Sequence, residues 1–504
     1  MSAKPDSENK FTFVEATIGD AHRAIEDGTL SARAMVDAYL ERIAAYDQQG
    51  PSLNAIVSLN DTARARADEL DASFTTTKNL SGPLHGIPIL VKDNVETADM
   101  ATTQGTIGLQ NYRPKHDATV IKKLKAAGAI ILGKTTLPDF ATSWWAYSSL
   151  SGETRNPYAL DRDPGGSSAG SGAAAAANFA MAAIGTDCGG SIRVPSSFDN
   201  LVGIRSTPGL ISRKGAGTLV FFQDTIGPMT RTVTDAARIF DCLVGYDPDD
   251  SLSAQYLAAK APDSYQDGLD YNGLKGARIG LVTNALGADD DPFAAPVNRV
   301  VADSIASIRE AGATVVDLAI PDLMQHIVNT SMYVNCSKFE INQFLMARPD
   351  AGVRSLTQIY EQQRYHPMLD LIDACISGPE MPEYDPMYYR RLAAREEFAR
   401  VVLNSMAGAS LDALVFPSVQ VVPPTRTQLN ERVWTTLTFP TNTLISSQTW
   451  LPAATVPAGF SEDGLPIGLE FLVKPYAEET MFRLAYAFEQ ATGHRRSPAS
   501  TPEI

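Results

Sequence analysis

Gly165-Gly166-Ser167-Ser168-Ala169-Gly170-Ser171-Gly172, five alanines from Ala173 to Ala177, and then Asn178-Phe179-Ala180-Met181-Ala182-Ala183-Ile184-Gly185-Thr186-Asp187-Cys188-Gly189-Gly190-Ser191-Ile192-Arg193 form the most informative stretch of this chain. Gly170 to Met181 predicts a tightly packed helix, because alanine permits close approach of neighbouring backbones. Ala182 to Gly185 leads from it into a glycine-rich loop. Ser167 and Ser191 are each preceded by glycines. Upstream, Gly86-Ile87-Pro88-Ile89-Leu90-Val91-Lys92-Asp93-Asn94 places one lysine in an otherwise apolar strand. Together these segments suggest a serine nucleophile worked by a lysine rather than a histidine, and hence acyl transfer from amides.

The same alternation extends outward in both directions. Ile18 to Ala45 carries helical periodicity with Asp20, Glu26 and Arg33 on the wet side. A strand is predicted over Leu53–Leu59, a helix over Asp61–Ala72, and strands over Ile87–Val91 and Ala129–Leu132 around a helix at Thr119–Ala127. In the later half, Ala277–Val282 and Thr314–Leu318 read as strands flanking a helix at Pro296–Ala311. Leu411–Pro417, Ala453–Pro457 and Leu465–Val473 read as further core strands, and Glu478–Gln490 as a closing amphipathic helix. Strands alternating with helices predict an α/β fold, one large mixed β-sheet covered by helices on both faces. No repeat or linker divides residues 1–504, so a single domain is expected. The helix-rich region 320–400 reads as a smaller helical subdomain or lid.

Composition narrows the function classes. The formal net charge of −16 repels phosphate backbones, and no run of lysine and arginine offsets it, so no nucleic-acid partner is expected. Cys188, Cys242, Cys336 and Cys375 are widely spread without CxxC pairs, which argues against a disulfide framework or a structural metal site. Met1 to Lys10 is polar and lacks the apolar core of a secretory signal. The longest apolar run, Ala173 to Ile184, is too short to span a bilayer. A cytoplasmic enzyme without membrane contact is the expectation, as a monomer or homodimer.

Two motif matches fail on context. Gly128-Ala129-Ile130-Ile131-Leu132-Gly133-Lys134-Thr135 matches the phosphate-loop pattern, but its variable positions are a buried strand where a phosphate needs exposed backbone. Gly166-Ser167-Ser168-Ala169-Gly170 matches the GxSxG elbow, but a turn, Asp161 to Gly165, stands where the elbow needs a strand. The later histidines His326, His366 and His494 have no distinctive setting. The third constellation is Lys92, Ser167 and Ser191. Taken singly, the serines build turns and Lys92 snorkels from a strand end. Taken together, Gly189 and Gly190 before Ser191 let backbone N–H groups converge on one point, which is how an oxyanion hole is made.

On these residues the chain resembles the amidase signature family of serine hydrolases. The resemblance rests on Gly165–Arg193, on Gly82-Pro83-Leu84-His85-Gly86-Ile87-Pro88 leading to Val91-Lys92-Asp93-Asn94, and on Gln223-Asp224-Thr225-Ile226-Gly227-Pro228-Met229. It extends to Val456-Pro457-Ala458-Gly459 and Gly464-Leu465-Pro466-Ile467-Gly468, covering roughly residues 15 to 495. It implies Ser191 as nucleophile, Lys92 as base, and Ser167, after a cis peptide bond, as the proton relay. It implies Cys188, Gly189, Gly190 and Ser191 as backbone donors of the oxyanion hole, with no metal and no cofactor. Burial among Ile89, Leu90 and Val91 would lower the pKa of Lys92 and make it a base. Asp187 and Arg193 are expected to pair and hold the loop, and His85 to pack a turn.

The implied activity is hydrolysis of C–N bonds in linear amides through an acyl-enzyme. The substrate is expected to be a small-molecule amide, anilide or carbamate, with esters open to the same serine. Ser143, Trp144 and Trp145 fall where the family lines its acyl site, and Phe221, within Val220-Phe221-Phe222, is placed on an opposite wall of a wide apolar pocket. The alternative is the A subunit of a tRNA-dependent glutamine amidotransferase complex. Ser331-Met332-Tyr333-Val334-Asn335-Cys336-Ser337-Lys338-Phe339-Glu340 stands where such subunits carry a Ser-Ser-Asn-Leu-Ala-Arg-Tyr-type stretch, which favours a stand-alone amidase.

Overall fold

A computed structural model describes residues 11–504. The leader expectation, which concerns Met1 to Lys10, lies outside the described residues. The strands are β1 (Ile56–Leu59), β2 (Pro88–Lys92), β3 (Ile130–Thr135), a small hairpin of β4 (Tyr147–Ser148) and β5 (Gly152–Glu153), β6 (Ala182–Asp187), β7 (Val202–Arg205), β8 (Thr225–Thr230), β9 (Arg278–Val282), β10 (Thr314–Leu318), β11 (Ala413–Pro417), β12 (Ala453–Phe460) and β13 (Pro466–Leu472). All but the hairpin form one 11-stranded sheet in the order β1-β3-β2-β6-β8-β7-β12-β13-β11-β9-β10. The β3-β2-β6 and β11-β9-β10 runs are parallel, and the remaining pairs are antiparallel. Helices surround this mixed sheet, as the alternation predicts. No helix among the described residues is long and apolar enough to cross a membrane.

Parallel strands buried on both faces read as continuous apolar runs, and β2, β3 and β6 do so. Their full burial leaves Lys92 at the last position of β2 with no route to water. The helix Ala169–Ala176 is entirely buried and is more than one turn shorter than its sequence pattern, because the chain turns at Asn178 with φ 58°. The long pattern over Ile18–Ala45 is two helices, Ile18–Glu26 and Ala32–Tyr46. They are divided at Asp27–Ser31, where Thr29 and Leu30 both donate back to the carbonyl of Ala24. β3 runs on to Thr135, so Lys134 lies inside the sheet. Its ammonium donates to the Val95 carbonyl at 2.5 Å and to Thr102 Oγ1 at 3.0 Å and faces Asp93 at 3.5 Å, so the phosphate-loop match is a buried strand.

Region 320–400 is helical, with helices Leu323–Thr330, Tyr333–Met346, Leu356–Glu361 and Asp370–Ile376 and the start of Tyr388–Gly408. It is joined to the rest by a buried cluster containing Trp144, Cys188, Tyr333, Cys336 and Leu371. The four cysteines are unpaired.

Candidate active site

Lys92 and Thr186 stand at the carboxyl ends of the adjacent parallel strands β2 and β6, the end at which open α/β sheets present their sites. Lys92 Nζ lies 2.8 Å from Ser167 Oγ and 3.0 Å from Thr186 Oγ1, and the Asn94 side chain donates to that same threonine oxygen at 2.9 Å. Burial drives the Lys92 pKa down from its usual 10.5 to about 7, against the pull of Asp187 and Asp224. The Gly166–Ser167 peptide bond is cis. Ser168, the middle residue of the elbow match, is turned away and exchanges hydrogen bonds with the backbone of Thr186. Ser191 is 6% exposed and lines a cavity, while Ser167 is fully buried behind it. Lys92 thus contacts Ser167 directly, and Ser191, whose Oγ makes no hydrogen bond among the described residues, lines the cavity.

The loop between β6 and Ser191 has an ordered logic. Every carbonyl along it is held by the surrounding protein. Asp187 O accepts from Arg205 Nη1 at 2.7 Å, Cys188 O from Gln223 Nε2 at 2.5 Å and Gly189 O from Thr443 Oγ1 at 2.6 Å. Gly190 O accepts from the Val194 amide and Ser191 O from the Ser168 amide. The N–H groups of Cys188, Gly189, Gly190 and Ser191 have no protein acceptor among the described residues, whereas the next amide, Ile192, donates to Asp187. Anchored carbonyls with free amides are the geometry that stabilises a developing oxyanion. The glycines are sterically required. A Cβ on Gly189 would lie 2.2 Å from the Tyr333 hydroxyl, and one on Gly190, at φ 138°, would lie 2.0 Å from Thr443 Oγ1.

Beneath the loop, Asp187 accepts from Arg193 and Arg205, and Arg193 also reaches Glu470 at 2.5 Å, all four side chains being fully buried. Burial alone would raise the Asp187 pKa; the two guanidiniums outweigh it and hold the carboxyl at about 2. The Asp187–Arg193 pair is thus part of a larger network. Burial pushes the Cys188 thiol well above its ordinary range, which keeps it protonated.

The cavity above Ser191 measures about 280 Å³. Ser143 and Trp144 line it, together with Cys188, Gly189, Tyr333 and Phe439. Trp144 is fixed by donation of Nε1 to the Thr436 carbonyl at 2.8 Å. Two expected lining residues are elsewhere. Trp145 points into the protein, edge-on to Phe439 at 4.5 Å, since consecutive side chains here diverge. Phe221 is 41% exposed and lies outside this cavity under the Arg213 guanidinium at 4.1 Å, because Asp224 caps the Leu219 and Val220 amides and turns the segment outward. His85 binds Ser81 within its turn. Gln223, Thr443, Arg205, Glu470 and Tyr333 were not singled out by sequence patterns; each comes from a segment distant from the loop, and only Gln223 falls within a stretch carrying the family resemblance.

The amidase family model matches residues 34–482. The A subunit of glutamyl-tRNA(Gln) amidotransferase from Symbiobacterium thermophilum is 35% identical over 94% of this chain and 97% of its own. The solved peptide amidase of Stenotrophomonas maltophilia is 33% identical, with a TM-score of 0.84 over 97% of this chain and 99% of its own. The solved A subunit of the Thermotoga maritima glutamyl-tRNA(Gln) amidotransferase is 26% identical, with a TM-score of 0.77 over 97% and 98%. The sheet, the glycine-rich loop and these likenesses agree: the chain belongs to the amidase signature family.

Proposed function

We propose that the chain hydrolyses the C–N bond of linear amides through an acyl-enzyme on Ser191. The observation that carries this reading is the fully buried contact of Lys92 Nζ with Ser167 Oγ at 2.8 Å, behind a Ser191 that faces the cavity. A serine hydroxyl is a weak nucleophile until a base takes its proton. Lys92, whose pKa of about 7 makes the free amine available from neutral pH upward, takes the Ser167 proton as Ser167 takes that of Ser191. Ser191 attacks the carbonyl carbon, and the oxyanion is met by amides from Cys188 to Ser191. The proton returns through Ser167 to the departing nitrogen, which makes an amine a competent leaving group. Water repeats the sequence on the acyl-enzyme and frees the acid. Each attack passes a proton from the nucleophile through Ser167 to Lys92, and each collapse returns one through Ser167 to the leaving group.

The apolar cavity lined by Trp144, Tyr333 and Phe439 supports a stand-alone amidase acting on amides with apolar acyl groups, as does the likeness to the solved peptide amidase. The identity to amidotransferase A subunits favours a second reading, in which the same serine releases ammonia from glutamine for partner proteins. Amine release by the purified chain separates them. The panel holds primary amides, anilides, peptide amides, aryl carbamates and glutamine, with Ser191→Ala as control. Turnover of apolar amides, lost in the variant, is expected. Activity on glutamine alone, or only with partner proteins added, assigns the second reading.

A further inference from the structure

The cavity does not end where it is enclosed. Val328 and Leu437 both line it, yet they are 59% and 56% exposed. They come from separate segments, the helix Leu323–Thr330 and the loop before Phe439. One helical turn back from Val328, on the same face, Met324 is 62% exposed. Large apolar side chains at this exposure are ordinary singly and informative when they continue a pocket. The ramp is held in place. Thr436, beside Leu437, donates its amide and its hydroxyl to Asp370, and its carbonyl accepts from Trp144. Among the described residues Arg391 is the one charged side chain lining the cavity. Its Nη1 donates to the carbonyls of Val328, Asn329 and Ser331 at the helix end, and the rest of the lining is uncharged.

We propose that Met324, Val328 and Leu437 form an outer apolar subsite that binds the distal part of an elongated apolar acyl group. The inner cavity takes the first part of that group, and the exposed ramp takes the remainder. The inference rests on the amidase reading, taken for primary amides: their leaving group is ammonia, so whatever fills both cavity and ramp is acyl. Burial of each methylene on the ramp strengthens binding about fourfold.

The test separates binding from chemistry. Affinities of unbranched primary carboxamides, from butanamide to decanamide, are measured by calorimetry on the Ser191→Ala protein and on the same protein carrying Val328→Ser or Leu437→Ser. The expected result is affinity that climbs through the whole series, with a long-to-short ratio that falls tenfold or more in either second variant. Two variants on separate segments guard against misfolding of one, and binding of butanamide reports an intact inner cavity. An equal length dependence in parent and variants overturns the subsite, as does affinity that stops rising at the short end of the series in the parent. Self-association or binding to phosphatidylcholine vesicles that Val328→Ser abolishes, with the length dependence intact, gives the surface to a second copy or a membrane and also overturns it. Length-dependent binding without turnover of any carboxamide by the unsubstituted protein refutes the proposed function and leaves the subsite standing.

Discussion

Replacing Lys92 by methionine separates a base from a structural cation, because the two make opposite predictions for stability. Lys92 is fully buried, and its pKa falls from 10.5 in the open chain to about 7 in the fold. The unfolded chain therefore holds a proton that the folded chain has lost between about pH 7 and 10.5, and the stability of the protein rises with pH across that window. At pH 7 the penalty for keeping this amine inside is about 4 kcal/mol, from roughly 1.4 kcal/mol per tenfold change in the proton equilibrium. Methionine removes that penalty and also removes the hydrogen bonds to Ser167 and Thr186, each worth about 1 kcal/mol. Thr186 keeps its bond from Asn94. The variant is expected to be more stable than the parent by about 2 kcal/mol at pH 7. The two should be equal near pH ~9, and the variant less stable above it, while activity is lost throughout. Denaturant unfolding of both proteins from pH 6.5 to 9.5, read as midpoints at unchanged slope, checks the crossing. A Lys92→Met protein that is destabilised by the same amount at every pH refutes the reasoning, since that is the signature of a lysine that stays charged in the fold.

The rate should follow the same proton. The kcat/KM of the parent is expected to rise through about pH 7 and level off above it, and a profile that falls through that range would contradict a neutral lysine base. Gly190→Ala forces a Cβ to within 2.0 Å of Thr443 Oγ1 in a backbone region with φ 138°. A fall in kcat of about 10²-fold or more is expected, with KM changed far less, because the substitution displaces the amide proposed as an oxyanion donor and leaves the cavity lining in place. Arg193→Met leaves Glu470 buried without its guanidinium partner and should cost about 3–5 kcal/mol of stability. Adding Glu470→Gln should recover part of that loss, and no recovery would mean that the buried pair is not the source.

The sequence was most legible where local pattern and chemistry coincide. Apolar runs marked β2, β3 and β6, and the glycines before Ser191 marked a loop whose backbone must be approached closely. The strands β7 and β8 escaped notice because Gly203, Gly227 and Pro228 interrupt the pattern that a strand ordinarily shows. The helix after Ser168 looked longer than it is because Phe179 to Met181 continue its apolar character past the turn at Asn178. Lys134 shows the value of context: the letters of a phosphate loop, read as a strand, led to a buried ion pair.

The candidate site was legible in the groups that the structure gathers, Lys92, Ser167 and the loop before Ser191, and obscure in their supports. Nothing in the sequence near Gly189 points to Thr443, 254 positions away, or to Gln223, 35 positions away from Cys188, yet these two hold the loop carbonyls. Such anchors are single polar side chains reaching backbone from distant segments, and no period or spacing announces them. The aromatic residues divided for a similar reason. Trp144 and Trp145 are identical in type, but only one of two consecutive side chains faces the cavity. Phe221 adjoins a segment that buttresses the loop through Gln223, but the Asp224 cap turns it out to Arg213.

The most direct measurement is the mass of the protein and its peptides during slow turnover of an aryl carbamate or anilide. Attachment of the acyl group to Ser191, absent from the Ser191→Ala protein together with all amine release, is the predicted result. An adduct on Ser168 or Cys188, or amine release that survives in Ser191→Ala, would contradict it.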